Sequence, residues 1–316
     1  MKEILYLVLP CYNEEEVLLE TSKQLEKKIT KLISMNKISG KSKIVFINDG
    51  SKDNTWSIIN KLANNNTLFQ GINLAHNVGH QHALLAGLLT VKDFADMVIS
   101  LDADLQDDIN AIDEMIDQYY NGYEIVYGVR KERSTDTKFK KWTAESFYKL
   151  MNTMGVEIVF NHADYRLMSK RALNELSNYN EVNTFLRGII PTIGLSHTNV
   201  YYDRKERFAG ESKYPLKKML EFAFEGITSF SIKPIRIITM IGSGLILLSL
   251  ILIIYSFFRY IQGDIVTGWT SLILSIWTVG GVLMLALGII GEYIGKIYLE
   301  VKQRPRYIVM EWLKND

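Results

Sequence analysis

Cysteine is almost absent from the chain: Cys11 is the only one in 316 residues. A single thiol rules out an internal disulfide framework and a cysteine-based zinc site, and it suits a reducing, cytoplasmic setting. A surplus of one charge sign is missing too, since 36 Lys and Arg stand against 35 Asp and Glu, a net +1 at neutral pH. That balance removes the global electrostatic case for a nucleic-acid partner. No glycine follows the first apolar run, Ile4 to Leu9, where a G-x-G-x-x-G dinucleotide fingerprint would sit, and the Walker-type phosphate loop is also missing. The same run stops at Pro10 and meets Glu14-Glu15-Glu16, too short and too quickly acidic for a signal peptide. His76, His80, His82, His162 and His197 lack zinc-site spacing apart from His76 with His80, which read as loop and helix-start residues. Neither an internal repeat nor a low-complexity tract is present.

What is abundant is hydrophobicity, at 47% of residues, unevenly spread. The length and composition allow a sizeable core and predict two folding units. Residues 237–258 carry no charge and, at about 1.5 Å per residue, span roughly a 30 Å hydrocarbon core as a helix. A second uncharged stretch, 265–291, follows after a short polar link. The pair is expected to form a transmembrane hairpin. Lys213, Lys217, Lys218, Lys233 and Arg236 precede it, and Lys296, Lys302, Arg304 and Arg306 follow it, so both flanks should be cytoplasmic. The expected division is 1–211 as a cytoplasmic catalytic domain, 212–234 as amphipathic juxtamembrane helix, 235–291 as the hairpin, and 292–316 as a cytoplasmic tail. Localisation follows as multi-pass in the plasma membrane.

Before the hairpin, short β-branched runs alternate with longer amphipathic segments. Expected strands are Ile4 to Leu9, Lys43 to Ile47, Phe69 to Leu74, Met97 to Leu101 and Glu124 to Tyr127. Expected helices lie at Glu14 to Asn36, Thr55 to Leu62, Gln81 to Val91 and Ile109 to Tyr120, with Asn54 as an N-cap. Such alternation predicts an α/β, mostly parallel sheet covered on both faces.

Asp102-Ala103-Asp104-Leu105-Gln106-Asp107 directly follows the fourth expected strand, at the end where α/β sheets bind ligands. Carboxylates this dense repel one another unless a cation or donors neutralise them, and hard oxygen ligands suit Mg²⁺ or Mn²⁺ shared with a phosphate. The first strand runs into Pro10-Cys11-Tyr12-Asn13-Glu14 and the second into Asn48-Asp49-Gly50-Ser51. Together these strand ends make a nucleotide site in which Tyr12 offers a stacking face, Asp49 accepts from a base N–H, and Asp104 holds a metal on a diphosphate.

Six ordered motifs resemble the family-2 glycosyltransferases of the Rossmann-like GT-A fold, and within them the polyprenyl-phosphate glycosyltransferases. They are Pro10-Cys11-Tyr12-Asn13-Glu14, Asn48-Asp49-Gly50-Ser51, Asn77-Val78-Gly79-His80 with Ala86-Gly87, Asp102 to Asp107, Asp164-Tyr165-Arg166-Leu167-Met168, and Arg207 to Tyr214. The resemblance covers nearly the whole chain. Asp108-Ile109 departs from it, standing where prolines are often found. The resemblance implies that Pro10, Tyr12, Glu14, Ile47 and Asp49 contact the nucleotide. It implies further that Asp102, Ala103, Asp104 and Gln106 form the diphosphate and metal site, and that Arg130, Arg207 and Lys213 contact phosphates. UDP as the nucleotide, with GDP as the alternative, and a homo-oligomeric state are implied in the same way.

The expected reaction is inverting transfer of one sugar, glucose, N-acetylglucosamine or a relative, from a nucleotide sugar to undecaprenyl or another polyprenyl phosphate at the membrane, for cell-envelope glycosylation. Asp102 and Asp104 with Gln106 would hold the metal, Arg207 would reach the donor, and Arg130, Arg133 and Lys213 would take the acceptor phosphate. Asp164 is a third candidate catalytic residue, open between a base, a residue positioning Arg166 or sugar hydroxyls, and a structural partner of Arg166. A lipid monophosphate, with a second pKa of about 6, is largely ionised at neutral pH and needs no strong base. A processive polysaccharide synthase would bring a Q-x-x-R-W motif and more membrane helices, and neither is present. A non-catalytic membrane scaffold is the reading from another class, and the intact acidic cluster with Arg207 and Lys213 argues against it. A nicotinamide oxidoreductase is disfavoured by the missing glycines and by the hairpin.

Overall fold

The computed structural model describes residues 2–131, 162–182, 184–203, 228, 231, 233–262 and 268–314. The chain divides into two compact units. The first is Met1–Tyr148, Glu157–Pro215 and Arg304–Asp316, and the second is Lys149–Val156 and Leu216–Gln303.

In the first unit, β1 (Leu5–Cys11), β2 (Lys43–Asn48), β3 (Phe69–Leu74), β4 (Met97–Ser100), β5 (Ile125–Arg130), β6 (His162–Ser169), β7 (His197–Tyr202) and β8 (Val309–Leu313) form one sheet. Their order is β7-β5-β6-β4-β1-β2-β3-β8. β6 runs antiparallel to β4 and β5, and β8 antiparallel to β3, while the remaining pairings are parallel. The expected mostly parallel sheet is therefore present. Between β1 and β4 the winding reverses direction, which opens a crevice at the carboxyl ends of those strands.

Helix faces explain the layers. In α1 (Leu18–Ser34), Leu18, Leu25, Ile29 and Leu32 form one buried stripe that joins Leu5, Leu7 and Leu9 of β1 in the core. From α2 (Thr55–Asn65) and α4 (Ala111–Tyr120), Ile59, Ile112, Met115 and Ile116 enter the same core. α3 (His80–Val91) is apolar on most sides and packs on the opposite face. There Gly87 lets the backbone close in, since a Cβ would lie 2.6 Å from Val8 and 2.7 Å from Ile47. Asn54 sits at the N-cap of α2 as expected, but its side chain donates to Glu15 while Asp53 receives the Thr55 N–H. Two short helices, α5 (Lys170–Leu176) and α6 (Leu186–Thr192), follow β6.

The second unit holds α7 (Lys233–Ile261) and α8 (Trp269–Lys302), both long and apolar enough to cross a membrane. Met240, Leu247, Met284 and Leu285 stand exposed on them, as lipid-facing side chains would. α8 is about 51 Å long at 1.5 Å per residue, and its last turns carry Glu292, Lys296, Glu300 and Lys302.

The expected 292–316 tail needs correction. α8 continues to Lys302, Gln303 ends it in the left-handed region at φ 47°, and the chain returns to the first unit as β8. Burial of otherwise unpaired β3 edge groups explains the return. The Ala75 N–H donates to Ile308 O at 3.0 Å, Arg306 Nη1 donates to Tyr179 O at 2.8 Å, and Trp312 packs edge-on against Phe94.

Candidate active site

Three strand ends meet at the crevice. The Asp49 N–H donates to Cys11 O at 2.9 Å, and the Leu101 N–H donates to Val8 O at 3.2 Å, so the residues after β2 and β4 are fixed beside the end of β1. The loop after β1 is tied to the loop after β2, because the Asn13 N–H donates to Ser51 Oγ, the Glu14 N–H to Thr55 Oγ1, and the Lys52 N–H to Asn13 Oδ1. This fastening leaves Tyr12 exposed on the rim, where an aromatic face can stack on a base.

Asp49 is buried, and its carboxylate accepts the main-chain N–H groups of Val78 at 2.7 Å and Gly79 at 3.0 Å. Asn77 Nδ2 closes the arrangement by donating to Asp49 O. The Asp49 side chain therefore shapes the loop that opens α3, rather than standing open for a base. Ile47 is fully buried, facing Gly87 of α3, so no side-chain contact with a nucleotide is available to it. Pro10 and Glu14 are half-buried at the crevice.

The acidic loop after β4 is held from several sides. Ala103 is buried, and its carbonyl accepts from Thr21 Oγ1 of α1 at 2.7 Å. Leu105 takes a left-handed φ of 58°, and the Gln106 N–H folds back to Asp104 Oδ1 at 3.1 Å. Gln106 and Asp107 are buried, whereas Asp102 and Asp104 are half-buried. Asp107 Oδ1 accepts from the Tyr202 hydroxyl at 2.5 Å and from Arg130 Nη2 at 3.3 Å. Arg130, expected at the acceptor phosphate, is thus anchored to the loop. Burial opposes the charge on its guanidinium, but Asp107, Tyr202 and Asp102 together outweigh burial and hold it protonated.

Burial raises the Asp102 carboxyl to about 6, with the charges of Asp107, Asp164 and Asp104 adding to the shift and His80 opposing it. A cation would relieve that repulsion. Among the described residues no three His, Cys, Asp or Glu side chains make a ready-formed cage. The donor set that is present, two half-buried carboxylates and a neighbouring amide, fits Mg²⁺ or Mn²⁺ that completes its shell with substrate phosphate and water.

Asp164 lies on β6 with its carboxylate surrounded by donors. Arg166 Nη2 is 2.5 Å from Oδ1, and Arg187 of α6 grips both oxygens, Nε at 3.3 Å and Nη2 at 3.1 Å. Gln81 Nε2 donates to Oδ2 at 3.3 Å, and His80 Nε2 is 3.2 Å from the same atom. Burial would raise this carboxyl, but Arg187, the His80 hydrogen bond and Arg166 overcome it and hold Asp164 well below the usual carboxylate range. For His80, burial favours the neutral ring, while the Asp164 hydrogen bond and the Asp102 and Asp164 charges prevail and raise its pKa. His80 also stands 3.8 Å from Asp102 Oδ1 and so links the two acidic centres. The sequence reading gave no role to His80, Gln81 or Arg187. The nearest signal was the motif at residues 77–80.

Arg133, Arg207 and Lys213, together with most of the expected 212–234 amphipathic segment, lie outside the described residues.

The family model of glycosyl transferase family 2 matches residues 6–177. The chain belongs to glycosyltransferase family 2. The match runs from β1 through α5 and so contains the acidic loop and Asp164. Similarity to family members extends over nearly the whole chain. The uncharacterized glycosyltransferase YkoT of Bacillus subtilis (strain 168) is 55% identical, covering 99% of this chain and 93% of the relative. A prophage bactoprenol glucosyl transferase homolog of Escherichia coli (strain K12) is 40% identical, covering 96% and 97%. A bactoprenol glucosyl transferase of Shigella phage SfII is 41% identical, covering 96% of each. The chain is a glycosyltransferase with a GT-A catalytic unit and two candidate membrane helices.

Proposed function

We propose that this glycosyltransferase moves one sugar from a nucleotide sugar, UDP-linked, to a polyprenyl phosphate at the cytoplasmic face of the plasma membrane, with inversion. The observation that carries the reading is the full-length similarity to bactoprenol glucosyl transferases, which extends through both apolar helices as well as the catalytic unit.

The chemistry follows from the crevice. As the glycosidic bond to the diphosphate breaks, positive charge grows at the anomeric carbon and negative charge on the leaving group. Asp102 and Asp104, with Gln106 beside them, would hold a divalent cation, which when bound neutralises charge on the diphosphate. Tyr12 would stack on the base, while Asp49 keeps the Asn77–Gly79 loop in place beneath the donor. Asp164 is held ionised and surrounded by donors, so the attacking oxygen comes from an acceptor phosphate that is already ionised, and Asp164 keeps its neighbours oriented. Arg207 on the donor, and Arg133 and Lys213 on the acceptor phosphate, remain part of the proposal through their motif positions.

Connectivity supports the membrane placement. β1–β7 precede the apolar pair in the chain and β8 follows it, yet all eight strands form one sheet. If α7 and α8 each cross the bilayer, the pair must begin and end on the same side, and the basic flanks favour the cytoplasm as that side.

The deciding experiment incubates purified protein with undecaprenyl phosphate, Mg²⁺ and a panel of nucleotide sugars, followed by mass spectrometry of the lipid fraction. One hexose or N-acetylhexosamine added per lipid phosphate is expected. A polymeric product, or no lipid-linked sugar from any donor, would overturn the reading.

A further inference from the structure

We infer that Arg187 contacts a phosphate oxygen of the reacting substrates and that Asp164 and Gln81 are the residues that position it; the inference rests on the proposed transfer to a lipid phosphate. A carboxylate offers about four lone-pair sites. Asp164 meets five donor contacts, from Arg166, Arg187 twice, Gln81 and His80. Little accepting capacity is left for a substrate hydroxyl, which makes Asp164 an organiser of cations.

The two guanidiniums on it differ. The Arg166 side chain is 1% exposed, and its Nε and Nη1 find no hydrogen-bond partner among the described residues. Arg187 is 31% exposed and so can reach a ligand. Its placement is fixed by ties between α6 and α3. Gln81 donates to Asp164 through Nε2 and accepts the Leu186 N–H through Oε1 at 3.1 Å, so both ends of the amide are committed and the start of α6 is tied to the start of α3. His82 adds a second tie, with ring nitrogens 3.1 Å from Val78 O and 3.0 Å from Val182 O.

These ties bring Arg187 into the cluster that reaches Asp102 through His80. A guanidinium fixed by a two-point ion pair through Nε and Nη2 loses little further freedom when its other edge meets a phosphate oxygen. Such a cation is needed where a diphosphate donor and an ionised acceptor phosphate come together. Arg130, the one arginine foreseen for this task that lies among the described residues, is held by Asp107 and Tyr202.

The phosphate oxygen could belong to the donor diphosphate or to the lipid phosphate, and the experiment separates them. Full-length wild type, Arg187→Ala, Arg187→Gln and the exposed α5 control Arg171→Ala would be placed in nanodiscs. Each would be titrated with UDP and Mg²⁺ and assayed with undecaprenyl phosphate and the donor that wild type uses. Arg187→Ala should lower kcat/KM on the order of a hundredfold, the size expected for a lost electrostatic contact, with Arg171→Ala unchanged. Weakened UDP binding would assign the contact to the donor, and a raised KM for undecaprenyl phosphate with UDP binding intact would assign it to the acceptor. A folded Arg187→Ala protein within about threefold of wild type would overturn the inference. If that variant does not fold, Arg187→Gln is judged by the same threshold. A wild type inactive with every donor would overturn the underlying reading and this inference with it, an outcome distinct from an active wild type indifferent to Arg187.

Discussion

Gly50 and Asn77 lie so close that a Cβ on Gly50 would stand 2.6 Å from the Asn77 main-chain nitrogen. Gly50 also has a φ of 62°, in the left-handed region that penalises side chains. Neighbouring Asp49 clamps the same 77–79 loop through two hydrogen bonds. Gly50→Ala should therefore cost at least about 2 kcal/mol, from strained backbone and steric overlap together. It should also weaken nucleotide binding, because the loop shift reaches the crevice. Urea midpoints of the detergent-solubilised protein and UDP titration check both effects, and an Ala variant as stable as wild type would show that the loop yields easily.

Much of this arrangement was legible before the fold was known, and the exceptions have a common cause. β1 to β5 announced themselves as apolar runs ending in polar clusters, because strands buried on both faces must be apolar along their length. β6 did not, since Asp164 and Arg166 are buried as a pair within it and break the hydrophobic pattern. β7 is an edge strand with exposed positions, and β8 owes its existence to a partner at the other end of the chain. The site divides in the same way. Asp102 and Asp104 share a strand end and could be read locally. Arg187 meets Asp164 from 23 residues away, and Gln81 meets it from 83, separations that carry no periodic signal.

Asp104→Asn should abolish turnover while leaving the protein folded and membrane-inserted, because it removes charge from the half-buried pair proposed to hold the cation. The expected loss is at least about a hundredfold in kcat. Chelation of wild type should give the same result, with activity restored by Mg²⁺ or Mn²⁺. Circular dichroism guards the folding claim, and full activity in a chelator would remove the metal from the mechanism.

Asp164→Asn should lower stability by roughly 3 kcal/mol at neutral pH, since it leaves the buried Arg166 and the adjoining Arg187 without their carboxylate. The sign of the pH effect follows from the depressed pKa of Asp164 in the folded protein. Its contribution is complete well above the ordinary carboxylate value of 3.8 and is lost as pH falls below that value toward the folded pKa. The stability gap between wild type and variant should therefore widen as pH falls through the raised His80 pKa to its ordinary value of 6.5, because only wild type offers the protonated ring its carboxylate, then hold to about pH 5 and shrink below about pH 4. Urea midpoints across that range test it, and a gap that does not change with pH would mean that Asp164 is not held ionised.

Connectivity makes the most restrictive prediction about topology. β8 completes the sheet begun by β1, so the residues after α8 must share a compartment with those before α7. The turn after α7, at exposed Gln262, must then lie on the opposite side if both helices cross. Cys11, the sole native thiol, is buried, so labelling background should be low. Gln262→Cys should react with an impermeant maleimide in intact cells. Glu311→Cys, exposed on β8, should react only after permeabilisation. Labelling at Glu311→Cys alone would invert the orientation. Protection of both would place the turn inside and the helices on the membrane surface, whereas labelling of both in intact cells would be incompatible with one sheet built from strands on either side of a paired crossing.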